Sequence, residues 1–199
     1  MGVNWQLMGN PMNIFATSND PIACALALDD RRLNKMVLET AQLICTACHV
    51  HGFDYRIPYK STHINHPCAV WAATNIANLE WLCDHFDALC QEYRDRMRRS
   101  HSCEAAMQSL VDSLALYQFD DTIERTPFPN CAANAELGIT YKHLPDVHHA
   151  YRKYLAVRIA HEIRAFVQCK ANYYPKWTNK SAPEWLQTHI DNLLVPIRH

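Results

Sequence analysis

Glycine is scarce in this sequence, with only four in 199 residues. Tight two-residue hairpins and phosphate-cradling loops both draw on residues that adopt positive φ at little cost, so both are poorly supplied. No G-x-S-x-G, P-loop or G-x-G-x-x-G occurs. That argues against the common serine hydrolase, nucleotide-triphosphate and dinucleotide classes. Long apolar runs are also missing, and none approaches the ~20 residues that span a bilayer. Residues 1–11 carry neither a basic n-region nor an apolar h-region, so they do not read as a signal peptide. Gln6 stands where a myristoylation signal has Ser or Thr. Charge of one sign is absent too: 19 Lys and Arg face 20 Asp and Glu. A broad basic coat for nucleic acid is thereby excluded. Nine cysteines are present, yet Cys45-x-x-Cys48 is the sole CxxC. With no second pair to close a zinc site and no secretion signal, reduced thiols and a cytoplasmic location are expected, with Cys45 and Cys48 in a helix packing surface.

What is present is material for helices. At 49% hydrophobic and 20% charged residues, the chain can bury one sizeable core. Asn19-Asp20-Pro21 is a cap followed by proline at the first helical position, and predicts a short helix to about Leu28. Asp29 or Asp30 caps a second helix ending near His51, with Leu33, Met36, Val37, Ala41 and Ile44 at helical spacing. Pro67 opens a long helix to about Arg99, striped by Leu79, Leu82, Phe86, Leu89 and Tyr93. Further helices are expected over 103–118, from Asp146 to about Lys170, and after Trp185. The expected fold is all-α: one compact helical domain of five to seven helices over 12–199, preceded by an extension over 1–11. A second methionine, Met12, sits at the junction. Residues 119–145 lack periodicity and hold Pro127, Pro129 and Pro145, so a long irregular loop is expected there, with the role of a lid.

The charges that cancel overall are unevenly placed. Six acids face one base between Glu104 and Glu136, whereas eight bases face two acids between Tyr141 and Lys180. In the second stretch tyrosines and Trp177 interleave with Lys and Arg, a composition suited to phosphate contacts and base stacking, and equally to a solvated face. Arg94, Arg96, Arg98 and Arg99 end the long helix, where cations suit the macrodipole.

Two constellations carry chemistry. Arg32, Lys35, Glu39 and Gln42 step by three, four and three, which places them on one helix face. A carboxylate with Lys and Arg a turn or two before it is held ionised, as a general base or a stabiliser of developing positive charge requires. An ordinary solvated face has the same pattern. The second constellation is Thr62-His63-Ile64-Asn65-His66-Pro67, where a loop becomes a helix. Two histidines three apart with an amide between them can bind phosphate, relay a proton or hold a metal. His66 would be the helix cap, with free N–H groups behind it. A metal set of His63 and His66 with His148 and His149 is conceivable, but no H-E-x-x-H or zinc-finger spacing is present. No metal and no cofactor are expected.

These residues also carry a resemblance. Asn13-Ile14-Phe15 through Asp20-Pro21, with Leu28-Asp29-Asp30-Arg31-Arg32-Leu33-x-Lys35-Met36-x-x-Glu39-Thr40-Ala41-Gln42, resembles a family of small helical proteins frequent in bacteriophages. So does Tyr59-Lys60-x-Thr62-His63-x-Asn65-His66-Pro67-x-x-x-Trp71 with Asn78 and Trp81-Leu82. Tyr151-Arg152-x-Tyr154, Trp177 and Pro183-Glu184-Trp185 extend the likeness. More distantly, the layout is similar to the pyrimidine-dimer DNA glycosylases of the endonuclease V type. On that pattern Asp30 and Leu33 match the D-x-x-L start and Glu39 matches the catalytic acid. The resemblance implies an all-helical enzyme acting on DNA. The acid of that family works with an N-terminal α-amine on a Thr exposed after Met removal. This chain has Gly2 at the second position and residues 1–11 ahead of the matching region.

The resulting expectation is a DNA base-processing enzyme, glycosylase-like, that acts on a flipped damaged or modified base. Glu39, Lys35, His63 and His66 are the expected catalytic residues. Arg32, Gln42, Asn65, Trp71, Tyr151 and Arg152 are expected to bind the substrate, with Trp71 or Tyr151 stacking on the base and the basic helix holding phosphates. The partner is DNA, with no membrane. Two other readings stand beside it: a transferase adding a small group to an activated thymine in phage DNA hypermodification, and a non-enzymatic phage–host interaction protein.

Overall fold

A computed structural model describes residues 12–53, 56–116 and 122–194. The expected extension over 1–11 lies outside the described residues. Seven helices and one two-stranded ribbon are found among them: α1 (Pro21–Leu26), α2 (Asp30–Val50), α3 (Pro67–Ala72), α4 (Ile76–Met97), α5 (Ser102–Ala115), β1 (Ala133–Asn134), β2 (Ile139–Thr140), α6 (Val147–Val167) and α7 (Glu184–Leu194). The class is all-α, as expected. No helix among the described residues is long and apolar enough to cross a membrane.

The caps set the helix starts. Asp20 accepts the Ile22 N–H in front of α1, and Pro21 occupies the first turn. Asp29 accepts the Arg31 and Arg32 N–H groups in front of α2, and Asp146 accepts those of His148 and His149 in front of α6. The helix α2 is central and packs against α4, α3 and α5. Leu33, Met36, Val37, Leu43, Ile44, Cys45 and Cys48 on it are fully buried, so Cys45 and Cys48 are core thiols. Both are pushed up by burial, to about 11 and about 12, and stay protonated.

The single long helix expected from Pro67 to Arg99 is two helices. Asn75 stops the run, because its Oδ1 accepts the Asn78 N–H at 2.9 Å and so caps a new start for α4. Asn78, fully buried, donates to the Trp71 carbonyl at 2.7 Å and to Thr126 Oγ1 at 2.8 Å. Short polar side chains that bond neighbouring backbone offer an alternative to the helical ladder, and apolar spacing alone does not reveal it.

Of the irregular loop expected over 119–145, residues 119–121 lie outside the described residues, and the rest is tied to the core. Trp71 Nε1 donates to the Thr126 carbonyl at 3.2 Å, and Phe128 packs between Trp71 and Trp81 with ring centroids 5.0 and 4.7 Å away. The Tyr151 hydroxyl donates to the Pro129 carbonyl at 2.9 Å and accepts the Cys131 N–H at 3.1 Å. The segment is thus pinned in its middle, and β1–β2 forms a small turn beyond the pins, with Gly138 at φ 61°.

His85 of α4 is completely buried, with Nδ1 bonded to the Pro21 carbonyl at 3.0 Å and the ring stacked on Trp81. Burial lowers it to about 4, against only a partial opposing effect of the Pro21 bond. The unfolded chain binds this proton below about 6.5 and the folded chain only near 4, so stability falls as pH drops through that window. The loss amounts to about 3 kcal/mol at the bottom. Denaturant unfolding at pH 7 and pH 4.5 should show this loss, and His85→Gln should shrink the difference. An unchanged difference in the variant would assign the acid sensitivity to other groups.

Candidate active site

The carboxylate of Glu39 is the centre of the site. Glu39 lies mid-way along α2 and is only 8% exposed. Lys35, one turn earlier, holds its Oε1 at 2.6 Å. Its Oε2 is buried and has no hydrogen-bond partner among the described residues. A buried acceptor left unsatisfied costs about 1–3 kcal/mol, so Oε2 is open to a partner from outside the described residues. Burial raises the Glu39 carboxyl above the ordinary carboxylate range. The Lys35 ammonium, the Asn13 backbone N–H and the His63 imidazole partly offset this by favouring the ionised form.

The surrounding groups come from three separate segments. The extended stretch 12–17 passes beside α2 and sets the Asn13 N–H near Glu39, while Asn13 Oδ1 turns back on the Ile14 and Phe15 N–H groups. The turn before α3 supplies His63, at a positive φ of 49° and bonded to Thr62 Oγ1 at 2.7 Å, and His66, which caps α3 through the Cys68 N–H at 3.2 Å. Burial lowers His66, and His63 and Lys142 add to the effect, so all three favour the neutral imidazole. The pinned segment supplies Cys131, whose Sγ is 3.8 Å from that of Cys68. A hydrogen bond from the Cys68 thiol, helped by Tyr151 and Lys142 and opposed by burial, brings Cys131 down to about 7.

Lys35 and His63 both act on the Glu39 carboxylate, and His63 also acts on His66. Asn65 and Ile64 are exposed on the same turn, and Gln42 is half-buried one turn beyond Glu39. Other expected substrate contacts are committed elsewhere. Arg32 is buried and bridges Asp29 and Glu162, tying α2 to α6. Trp71 is 5% exposed inside the Phe128–Trp81 cluster, and Tyr151 is fully buried. In the structure both are floor rather than stacking surface. Arg152 donates to the Thr17 carbonyl at 2.9 Å and lies over Trp185. The anion site foreseen behind Pro67 loses most of its dipole, because α3 is only six residues long and His66 itself takes one N–H.

The basic C-terminal third is likewise half spent internally. Arg152, Arg158, Arg164 and Lys180 bond to Thr17, Tyr154, Leu193 and Glu92. Lys142 is the base of that stretch whose charge reaches the site. A cleft of about 770 Å³ opens away from Glu39, between α1, α4 and α5, and carries Asp84, Asp87, Asp95 and Glu104. Its carboxylates suit it poorly to a phosphate backbone. Sequence spacing gave no sign of Asn13, Cys68 and Cys131 at this site, because each reaches it only through folding of distant segments.

Comparison with known proteins covers the same ground. Residues 12–105 match the family model for pyrimidine dimer DNA glycosylase, just under half of the 199-residue chain. The likeness read from the motifs thus holds over α1 to the start of α5 and includes Glu39, Lys35, His63, His66 and Cys68. Cys131, Lys142, α6 and α7 lie outside it. No curated protein and no solved structure matches the chain.

Proposed function

We propose that this protein is a DNA base-processing enzyme that releases a damaged or modified base from a flipped nucleotide. The observation that carries the reading is the buried, half-satisfied carboxylate of Glu39 within the segment similar to pyrimidine dimer DNA glycosylases. The sugar of a departing base gains oxocarbenium character, and an anion placed in advance against that carbon stabilises it more than it stabilises the ground state. Oε2 of Glu39 is the group offered. Lys35 orients the carboxylate through Oε1, and its ammonium favours the ionised form against the burial that raises the group. His63 and His66 border the acid and provide proton-transfer groups for the departing base or an attacking water. Ile64, 57% exposed between His63 and Asn65, is the apolar tip that wedges between base steps when a base leaves the stack. Lys142 meets phosphate beside it.

Two nitrogens stand beside Glu39, the peptide N–H of Asn13 and the Lys35 Nζ that is ion-paired to Oε1 at 2.6 Å. The first has its lone pair delocalised into the amide and the second is engaged as the cation of the pair, so neither is assigned as a nucleophile. The reading is therefore base release that leaves an abasic site. Duplexes carrying pyrimidine dimers and hypermodified bases, incubated with the purified chain, should lose a base, and borohydride should trap no protein–DNA adduct. A gain of mass on the DNA would favour group transfer. No change in the DNA together with a co-purifying partner would favour a non-enzymatic role. A trapped adduct would overturn the hydrolytic mechanism.

A further inference from the structure

We propose that His66, Cys68 and Cys131 form a binding site for one zinc ion, with a ring nitrogen and two thiolates as ligands and the fourth position left to water. The three ligand atoms lie within 4.8 Å of one another. The two sulfurs are 3.8 Å apart. Two thiolates at about 2.3 Å from one tetrahedral zinc ion stand about 3.8 Å from each other, so the pair is spaced for a shared metal. A disulfide needs about 2.05 Å and gives His66 no part. The donor set is two soft sulfurs and an imidazole, which selects zinc over the hard cations magnesium and calcium.

Separate elements hold the ligands in place before any metal arrives. His66 caps α3 and Cys68 lies in its first turn. Cys131 is fixed by its own backbone, whose N–H is held by the Tyr151 hydroxyl at 3.1 Å while that hydroxyl donates to the Pro129 carbonyl. Cys68 is buried, and His66 and Cys131 are half-buried, so the cluster is enclosed on one side and reachable on the other. Three protein ligands with an open position is the arrangement of zinc that meets water or substrate, as opposed to a closed structural site. The Glu39 charge acts on Cys68, so the ion would share a neighbourhood with the proposed catalytic acid. Binding displaces the thiol protons into solvent, and the ion would also staple the 122–146 segment to α3. Zinc on His66, whose Nδ1 already accepts the Cys68 N–H, would leave proton transfer in base release to His63, and the site revises the expectation of no metal. It also replaces the four-histidine set, since His148 is turned to the Ala16 carbonyl at 2.7 Å.

Full-length protein, purified with its thiols reduced and stripped with a chelator, is titrated with Zn²⁺ and separately with Co²⁺. Uptake of about one ion per chain is expected, with a thiolate-to-cobalt charge-transfer band and the visible absorption of tetrahedral cobalt. Cys131→Ser and His66→Gln should each weaken binding by about tenfold or more. The exposed-thiol control Cys169→Ser should leave it unchanged. The cobalt spectrum of the unaltered chain keeps the test meaningful if a variant folds poorly. No stoichiometric uptake, uptake indifferent to both substitutions, or a Cys68–Cys131 disulfide mapped in freshly isolated protein would overturn the proposal. Because the readout is the metal, failure of base release leaves this result untouched.

Discussion

Glu39→Gln is expected to reduce the rate of base release by about 10²–10⁴-fold, the range a positioned acid–base group contributes. The change is isosteric, so the packing of α2 around Leu33, Val37 and Leu43 is kept. What disappears is the negative charge that Oε2 presents and that Lys35 steadies through Oε1. The fold should be unharmed, because the residue removed is a carboxylate whose burial already disfavours its charged form. DNA affinity should change little, since phosphate contacts dominate it. The pH profile gives a second readout. With the ionised carboxylate as the working form, the ascending limb of the rate should lie above the ordinary glutamate range, because burial raises this group, and the limb should be missing in the variant. A Glu39→Gln protein that releases bases within a few-fold of the unaltered rate would sink the mechanism.

The second large effect is on stability. Arg96→Ala should destabilise the protein by about 3–5 kcal/mol, the cost of leaving buried charges unpaired. The Arg96 side chain is fully enclosed. Its guanidinium bonds Glu92 Oε1 at 2.7 Å, the Leu28 carbonyl at 2.7 Å and Asp30 Oδ1 at 3.3 Å. Asp30 also accepts the Thr178 hydroxyl at 2.7 Å and the Thr178 N–H at 3.1 Å, and Glu92 accepts Lys180. One side chain therefore joins the end of α1, the start of α2, α4 and the 178–180 segment. Truncation leaves Asp30 buried with no cation, leaves Glu92 to Lys180 alone, and orphans the Leu28 carbonyl. The melting temperature should fall by roughly 6–20 °C for a chain of this size. Arg96→Met combined with Glu92→Leu should recover part of the loss, since an apolar replacement of a buried pair is often tolerated. A shift of only a degree or two in Arg96→Ala would show that the network is solvent-relaxed and structurally idle.

Arg96 also shows how far local pattern goes. In the sequence it is one of four arginines at a helix end, and the dipole explains it adequately. In the fold it is a hub whose partners lie 66 and 68 residues away. Arg32 tells the same story. Its stripe with Lys35, Glu39 and Gln42 is real, yet Glu162, 130 residues on, claims its guanidinium. The stripe is neither a solvated face nor a uniform binding surface. It is a structural cation at one end and, further along, a buried Glu39 paired to a partly exposed Lys35. Trp71 and Tyr151 read as surface aromatics only while segment 122–146 is unplaced. Once Thr126, Phe128 and Pro129 cover them, they are core.

The sequence by itself determined the all-α class, the caps at Asp20 and Asp146 and a cap at Asp29 or Asp30, the burial of the α2 core stripe, and the placing of Lys35 and Glu39 on one helix face. All of these depend on neighbours within about one helical turn, where residue spacing and side-chain chemistry decide geometry. Only the tertiary structure decided that the helix begun at Pro67 breaks at Asn75, that Arg32 and Arg96 are internal, that Asn13, His63 and Cys68 act on or are acted on by Glu39, and that Cys131 joins His66 and Cys68. Those outcomes hang on contacts between segments tens of residues apart. A donor on one helix finds its acceptor there only through packing of the whole core, and no local period along the chain records that choice.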